Sequence, residues 1–153
     1  MSVKNLRIYQ EAASIADEFS IMVRDWPEID KEILAHQMCR AADSISNNIA
    51  EGYGRGGTGE KIQFMFYADA SAQEARNQIE RAAARKLIED DVGVFYSRRL
   101  RALSISIIEF CAAILERDPE YKGPARERVE RRRAWRLKKE ETQEGATEQT
   151  DAT

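Results

Sequence analysis

The most informative part of the chain is residues 36–55, HQMCRAADSISNNIAEGYGR, which we interpret as the end of a helix followed by its glycine stop. At about 3.6 residues per turn, one stripe of this helix is apolar and contains Leu34, Met38, Ala41, Ile45 and Ile49. The opposite face carries His36, Arg40, Asp43, Asn47 and Glu51. One face is therefore expected to pack, and the other to be available for recognition.

The polar side chains of this stretch form what we call the motif face, made of Arg40, Ser44, Asn47, Asn48, Glu51 and Arg55. Arginine and asparagine carry donors that phosphates and base edges accept, so the face could recognise a ligand. Alternatively, these side chains bond one another across helices and set the register of the fold. We favour the structural role for Ser44 and Asn48, which border the packed stripe, and leave both roles open for Arg40, Asn47 and Arg55.

Length and composition indicate a single all-α domain with an extension. The chain has 153 residues with only three prolines, is rich in helix-favouring residues, and lacks the alternating pattern of strands. No apolar run approaches the roughly 18 residues that span a bilayer, so we expect a cytoplasmic protein with no membrane contact. Cys39 and Cys111 are too far apart for a metal-ligand pair and are expected to be reduced, partly buried thiols.

Apolar periodicity predicts four helices, at about residues 6–26, 30–51, 59–88 and 94–117. The first has two adjacent apolar stripes, which is typical of a helix buried on two sides, and Trp26-Pro27 closes it. The second is predicted to end at Gly52. The third has a seam of alanines that permits close helix approach, and the fourth has a coiled-coil-like seam from Tyr96 to Ile114.

The glycines at 54, 56 and 59 formally match the dinucleotide-binding fingerprint GxGxxG. We reject this match because the fingerprint needs a strand before its glycines, and a helix precedes them here. A helix-to-helix connection, with Thr58 as the N-cap of the third helix, explains the segment better.

The composition changes after Asp118-Pro119, so we divide the chain into a bundle at 1–118 and a charged extension at 119–153. Residues 122–139 hold nine Lys or Arg against two Glu, whereas 140–153 are acidic and expected to be disordered from about 144. The basic part could be an exposed helix at 125–139 that binds phosphates and stacks one aromatic ring, or a solubilising or partner-docking extension. Its candidate nucleic-acid-binding residues are Arg126, Arg128, Arg131, Arg132, Arg133, Trp135, Arg136, Lys138 and Lys139.

The residues of the chain do not form a recognisable catalytic or metal constellation. His36 is the sole histidine, and Glu32 lies four residues before it rather than in the Glu-x-x-His spacing of di-metal bundles. No Ser or Cys has an obvious base partner. We therefore expect a protein that is not an enzyme and has no metal or other cofactor.

The motif Gln37-Met38-x-Arg40-Ala41-Ala42-x-Ser44-Ile45-x-x-Asn48-Ile49-Ala50-Glu51-Gly52-x-x-Arg55 resembles the signature of the bundle proteins encoded in intervening sequences of 23S rRNA genes. Ala70-Ser71-Ala72-x-Glu74 continues the resemblance, which covers about residues 6–115. It implies an antiparallel up-down four-helix bundle that assembles as a homopentamer. A distantly similar branch comprises the accessory variability proteins of diversity-generating retroelements, which are basic pentamers that bind nucleic acid and a reverse transcriptase. Residues 1–121 of this chain are instead net acidic.

Two functions stay open at this stage. The first is a non-enzymatic oligomeric protein that binds RNA or DNA, or accompanies a ribonucleoprotein, with the basic extension as its electrostatic contact. The second is a self-assembling scaffold that docks a protein partner, for example a reverse transcriptase, without binding nucleic acid itself. A steep salt dependence of binding that is lost without residues 122–139 would separate them.

Overall fold

The computed structural model describes the backbone of residues 2–150 and the side chains of residues 2–139, and every regular element in that part is helical. The all-α prediction is therefore confirmed. The long helices are α1 (Arg7–Met22), α2 (residues 28–54), α3 (Thr58–Ala84), α4 (Asp90–Arg117) and α5 (Pro124–Thr150). Short 3₁₀ turns at Val3–Asn5 and Val23–Asp25 flank α1.

Helix α2 is continuous but not uniform. Glu28–Asp30 follows Pro27, a π-helical turn spans Lys31–Ala35, and α-helix continues over His36–Gly54. A π turn carries an extra residue in one helical repeat, so it shifts the face that the following residues present. The apolar stripe predicted from the sequence is buried, since Leu34, Met38, Ala41, Ile45 and Ile49 are almost completely covered.

The core lies between α1, α2, α3 and α4. Helices that follow one another in the chain pack most closely, and α1 also contacts α4. The alanine seam of α3 is buried as predicted. In the apolar seam of α4, Leu100, Leu103 and Ile107 are buried, and the other three residues are half-buried: Tyr96, Phe110 and Ile114. The largest fully buried side chains include Phe19, Ile15, Met38, Ile45, Ile49, Ile62, Met65, Ile79, Leu100 and Ile107.

Gly52 does not stop α2, which runs on to Gly54. It is buried against α3, where a Cβ atom would lie 2.8 Å from the Phe64 Cβ and 2.9 Å from the Met65 Cε. Gly93 falls in the connection predicted between the third and fourth helices, but it lies inside α4, where a Cβ would lie 2.7 Å from the Cβ of Ala83. Both glycines therefore serve close helix packing rather than termination.

Two connections differ in detail from the prediction. Residues 55–57 link α2 to α3 with a helix on each side, which agrees with rejecting the dinucleotide fingerprint. Thr58 is the first residue of α3 rather than its cap, and its Oγ1 donates a 2.6 Å hydrogen bond to Asp118 Oδ2. Helix α3 ends at Ala84, earlier than expected, and Lys86 turns the chain with a φ of 60°.

Only one of the two apolar stripes of α1 is well covered within the chain. In that stripe Ile8, Ala12, Ile15 and Phe19 are buried and Met22 is half-buried. In the other stripe only Ala16 is buried, and the remaining members are half-buried: Leu6, Tyr9, Ala13 and Val23. Both cysteine thiols are unpaired, and burial raises the pKa of Cys111 to about 12.

Within residues 2–150, no helix has the length and apolar character that crossing a membrane requires.

The basic part of the extension forms a helix, as predicted, but this helix is not simply exposed. Helix α5 begins at Pro124 and contacts α3 and α4, and its Val129 is only 1 % exposed. The disorder predicted from about residue 144 concerns residues 144–150, of which the structure describes only the backbone, within α5, and residues 151–153, which lie outside the described residues. That part of the prediction therefore stays a prediction.

Candidate nucleic-acid interface

Helix α5 is held against the rest of the fold at its start. Arg126 donates to the backbone carbonyls of Tyr121 and Asp118, at 3.0 and 3.2 Å. One turn further, the Arg128 guanidinium lies 3.8 Å from the centre of the Phe66 ring, and Val129 inserts into the core. These contacts orient the rest of α5 along α3 and α4, so its side chains meet those of the bundle.

Most of the predicted tail cations already have partners in the fold. Arg131 pairs with Glu127 on α5 at 2.6 Å. Glu109 of α4 accepts from both Arg133 and Arg136, at 3.0 and 2.9 Å. Their positive charge is therefore partly neutralised, and the tail is a less open electrostatic contact than its composition suggests.

Arg132 reaches deepest into the fold. Its Nη2 lies 3.3 Å from Oδ2 of Asp69, a carboxylate on α3 that is only 6 % exposed. Asp69 also accepts a hydrogen bond from the Ser104 hydroxyl of α4, and Ser104 accepts one from Gln73 Nε2 at 2.9 Å. This network joins three helices and gives the buried carboxylate the hydrogen bonds that it needs.

Beside this network lies a cavity of about 340 Å³ between α3, α4 and α5, which we call the basic cavity. Among the described residues that line it are five cations and no carboxylate. Its lining is completed by one exposed indole, two isoleucines and two small polar side chains; the full set is Gln73, Arg76, Arg101, Ser104, Ile105, Ile108, Arg132, Trp135, Arg136 and Lys139.

The charge of the basic cavity is only partly balanced. Arg132 pairs with Asp69, Arg136 with Glu109, and Arg76 with Glu80 at 3.1 Å. In the described part of the chain, Arg101 and Lys139 make no ion pair, and Lys139 lies 5.1 Å from the centre of the Trp135 ring. The cavity therefore keeps an excess of positive charge that an anion could neutralise.

The structure thus brings together four of the predicted tail residues, namely Arg132, Trp135, Arg136 and Lys139. Arg126, Arg128, Arg131, Arg133 and Lys138 do not line the cavity. Sequence reasoning missed Gln73, Arg76 and Arg101, which belong to α3 and α4. Nothing in their own helices marks them, because only the docking of α5 places them beside the tail.

The motif face has an inner part, Ser44 and Asn48, that is hydrogen-bonded within the fold, and an outer part that faces solvent. Asn48 Nδ2 donates to the carbonyl oxygen and the hydroxyl of Ser44, at 2.8 and 3.0 Å, and Ser71 of α3 donates to the Ser44 hydroxyl at 3.0 Å. These bonds connect α2 with α3. Gln37 and Gln78 form a second bridge between the same helices, at 3.2 Å.

The outer part of the motif face is open to solvent. Arg40 and Asn47 are exposed and have no side-chain partner in the described part of the chain. Arg55 pairs with Glu51 and lies over the Phe64 ring at 4.8 Å. The described side chains contain no cluster of three or more His, Cys, Asp or Glu that could hold a metal.

A second polar cluster ties α1 to α4. Arg99 donates to Glu11 at 2.8 Å and to Glu18 at 2.7 Å, and the Tyr96 hydroxyl donates to Glu18 at 2.6 Å. Burial opposes ionisation of Glu18, but the hydrogen bonds from Arg99, Tyr96 and Ser14 outweigh it and lower the pKa of Glu18 to about 2. Burial and the bond to Glu18 raise the pKa of Tyr96 to about 12. Arg99 and Tyr96 of α4 are thus both bonded to carboxylates of α1, and we interpret the cluster as stabilising the contact between these two helices.

The fold and the candidate site together define an all-helical protein whose C-terminal helix completes a cationic cavity. Residues 4–108 match the family model of the 23S rRNA-intervening sequence protein. This match covers more than half of the chain, and the protein belongs to that family. No curated protein matches the sequence.

Proposed function

We propose that this protein is a non-enzymatic nucleic-acid-binding or ribonucleoprotein accessory protein that binds through the basic cavity. The observation that supports it most is the excess positive charge of Arg101 and Lys139 in a cavity whose described lining residues include no carboxylate. Phosphates are the anions that such a cluster of guanidinium and ammonium groups binds best. An RNA partner would place the protein in the cytoplasm.

In this function the basic extension has a different role from the one that its composition suggests. The sequence alone leaves open whether the basic part is an exposed phosphate-binding helix or a solubilising or partner-docking extension. We infer instead that α5 contributes one wall of a composite site and that α3 and α4 contribute the other through Arg76 and Arg101. The net acidic charge of residues 1–121 then matters less, because binding depends on a local patch.

We further propose that α1–α4 form an antiparallel up-down four-helix bundle that assembles as a homopentamer. Close packing of consecutive helices and the short connections between them support the up-down arrangement. The half-covered stripe of α1 and the exposed Ile21, Ile29 and Ile33 support assembly, since exposed apolar patches commonly mark interfaces.

Binding is tested by titrating the full-length protein into fluorescently labelled RNA and DNA over a range of salt concentrations. Replacing both Arg101 and Lys139 by Gln should weaken binding about tenfold or more. It should also reduce the slope of log affinity against log salt by roughly 0.7–0.9 for each lost phosphate contact. The matched control replaces the exposed Arg81 and Arg85, which lie outside the cavity lining, by Gln and should change neither quantity.

Equal effects of the two double variants would place binding outside the basic cavity. Absence of binding by the unmodified protein would exclude the nucleic-acid function. The alternative is then a scaffold that docks a protein partner, such as a reverse transcriptase, through an apolar surface. The exposed Val94 and Phe95 of α4 favour that alternative, because they offer apolar area beyond the patch at Ile21, Ile29 and Ile33.

A further inference from the structure

The aromatic ring of Trp135 is the feature of the basic cavity that a simple phosphate site does not need. Its side chain is 55 % exposed although it lines the cavity, whereas Trp26, the other tryptophan, is buried. An exposed indole costs solubility without contributing to the core. Aromatic rings set among cations are the usual stacking platforms for single-stranded nucleic acid.

The two cations beside Trp135 are held differently. Arg132 and Lys139 each lie 5.1 Å from the ring centre. Arg132 is fixed by its ion pair with the buried Asp69, but the exposed Lys139 has only its contact with the indole in the described part of the chain. Lys139 can therefore leave the ring and follow a phosphate at small cost, which opens one face of Trp135.

The remaining lining suits a base and its phosphate. Ile105 and Ile108 supply apolar contacts, and Gln73 Oε1 has no described hydrogen-bond partner, so it can accept from an exocyclic amine. Arg101, which makes no ion pair among the described residues, contributes its guanidinium to the wall of the cavity that α4 forms. The volume of about 340 Å³ falls at the lower end of the range for small-ligand sites, about 300–1,000 Å³.

We infer that the basic cavity takes one unpaired nucleotide of a single strand, with its base stacked on Trp135 and its phosphate bound by Arg101 and Lys139. This inference rests on the proposed nucleic-acid function and specifies its ligand. A base inside a duplex is stacked on its neighbours and cannot enter a cavity without being unpaired, which costs free energy. The protein should therefore prefer single strands and unpaired loops to perfect duplexes.

The test compares binding of full-length protein to a single-stranded oligonucleotide and to the same sequence in a duplex. Trp135→Ala should weaken single-strand binding about 5- to 150-fold, the range expected for loss of one stacked base, and leave duplex binding unchanged. Trp135→Phe should retain most of the affinity, since it keeps a ring. The control is Leu137→Ala, because Leu137 is similarly exposed at 53 % on the same helix but does not line the cavity.

Fluorescence gives an independent measurement. Binding of the single strand should quench the emission of Trp135, and this quenching should vanish in Trp135→Phe, which retains the buried Trp26. Equal loss of single-strand and duplex binding in Trp135→Ala, or no loss, would overturn the stacking inference. If Arg101→Gln still weakened binding in that case, the proposed function would stand; if the unmodified protein bound neither form, both would fail.

Discussion

At the scale of single residues, Asp69 is the side chain on which the candidate site depends most. It is buried, it accepts from Ser104, and its ion pair with Arg132 joins α3 to α5. A carboxylate in this position costs desolvation free energy, and the hydrogen bonds and the charge of Arg132 offset that cost. The same ion pair orients Arg132 at the edge of the basic cavity.

We predict that Asp69→Ala lowers the free energy of unfolding by about 1–3 kcal/mol, because Ser104 and Arg132 are left without their acceptor. The measurement is urea unfolding followed by circular dichroism. Glu109→Gln is the control: Glu109 pairs with Arg133 and Arg136 in a more exposed setting and should cost less than about 1 kcal/mol. Equal costs for the two variants would mean that the Asp69 network is not anchoring the fold.

Glu18 provides a pH-dependent prediction. Its pKa in the folded state is about 2, below the ordinary value of 4.5, so its stabilising contribution is present above pH 4.5 and is lost as the pH falls toward 2. Allowing for solvent screening of this partly exposed group, we expect Glu18→Gln to cost about 1–2 kcal/mol at pH 7.

The check is the difference in unfolding free energy between wild type and Glu18→Gln at several pH values from 7 down to 2. That difference should shrink through the window between 4.5 and 2, whereas Glu116→Gln, an exposed position on α4, should show little difference at any pH. A difference that stays constant with pH would contradict the lowered pKa of Glu18.

At the scale of the helices, two glycines of α2, Gly52 and Gly54, test how closely this helix packs against α3. We predict that Gly52→Ala is destabilising by about 1–3 kcal/mol, because the added Cβ would meet the Phe64 Cβ at 2.8 Å and the Met65 Cε at 2.9 Å. Gly54→Ala is the matched variant in the same helix, where a Cβ meets nothing within 4 Å. It should be neutral or stabilise by up to about 1 kcal/mol through helix propensity.

Thermal unfolding of both variants is sufficient to check this. The informative result is opposite signs for two identical substitutions two residues apart. A stabilised Gly52→Ala variant would show that α2 can move away from α3 without cost, and the explanation of Gly52 by close packing would be wrong.

At the scale of the whole molecule, the exposed apolar side chains near the α1–α2 connection are expected to bury themselves in an assembly. Ile21 lies near the end of α1, and Ile29 and Ile33 lie one turn apart at the start of α2. The double variant Ile29→Asp and Ile33→Asp should therefore lower the mass in solution from that of an oligomer toward that of one 17.5 kDa chain. Assembly would bury the two new carboxylates in the interface, which costs free energy.

Light scattering at several protein concentrations measures this directly. The control is Leu137→Asp, a comparable change at an exposed leucine on α5 that should leave the mass unchanged. An unmodified protein that is a single chain at all concentrations would exclude the proposed pentamer. A stable oligomer in the double variant would place the interface elsewhere.

The helices and their buried faces follow from the sequence, because the spacing of apolar residues along a helix can be read from residues that are close in the chain. Leu34, Met38, Ala41, Ile45 and Ile49 are buried as that periodicity predicts. The helix boundaries at Gly52 and Gly93 were wrong, because a glycine that permits close packing and a glycine that ends a helix have the same local pattern.

The position of the basic helix and the contacts of its side chains depend on the tertiary structure. Arg132 and Asp69 are 63 residues apart in the chain, and Arg101 and Trp135 meet at one cavity only because α5 docks through Val129. Such pairings depend on the rotation and register of packed helices, which no single helix encodes in its own periodicity. The composition of the tail thus determined its charge, and packing determined which of its charges remain available to a ligand.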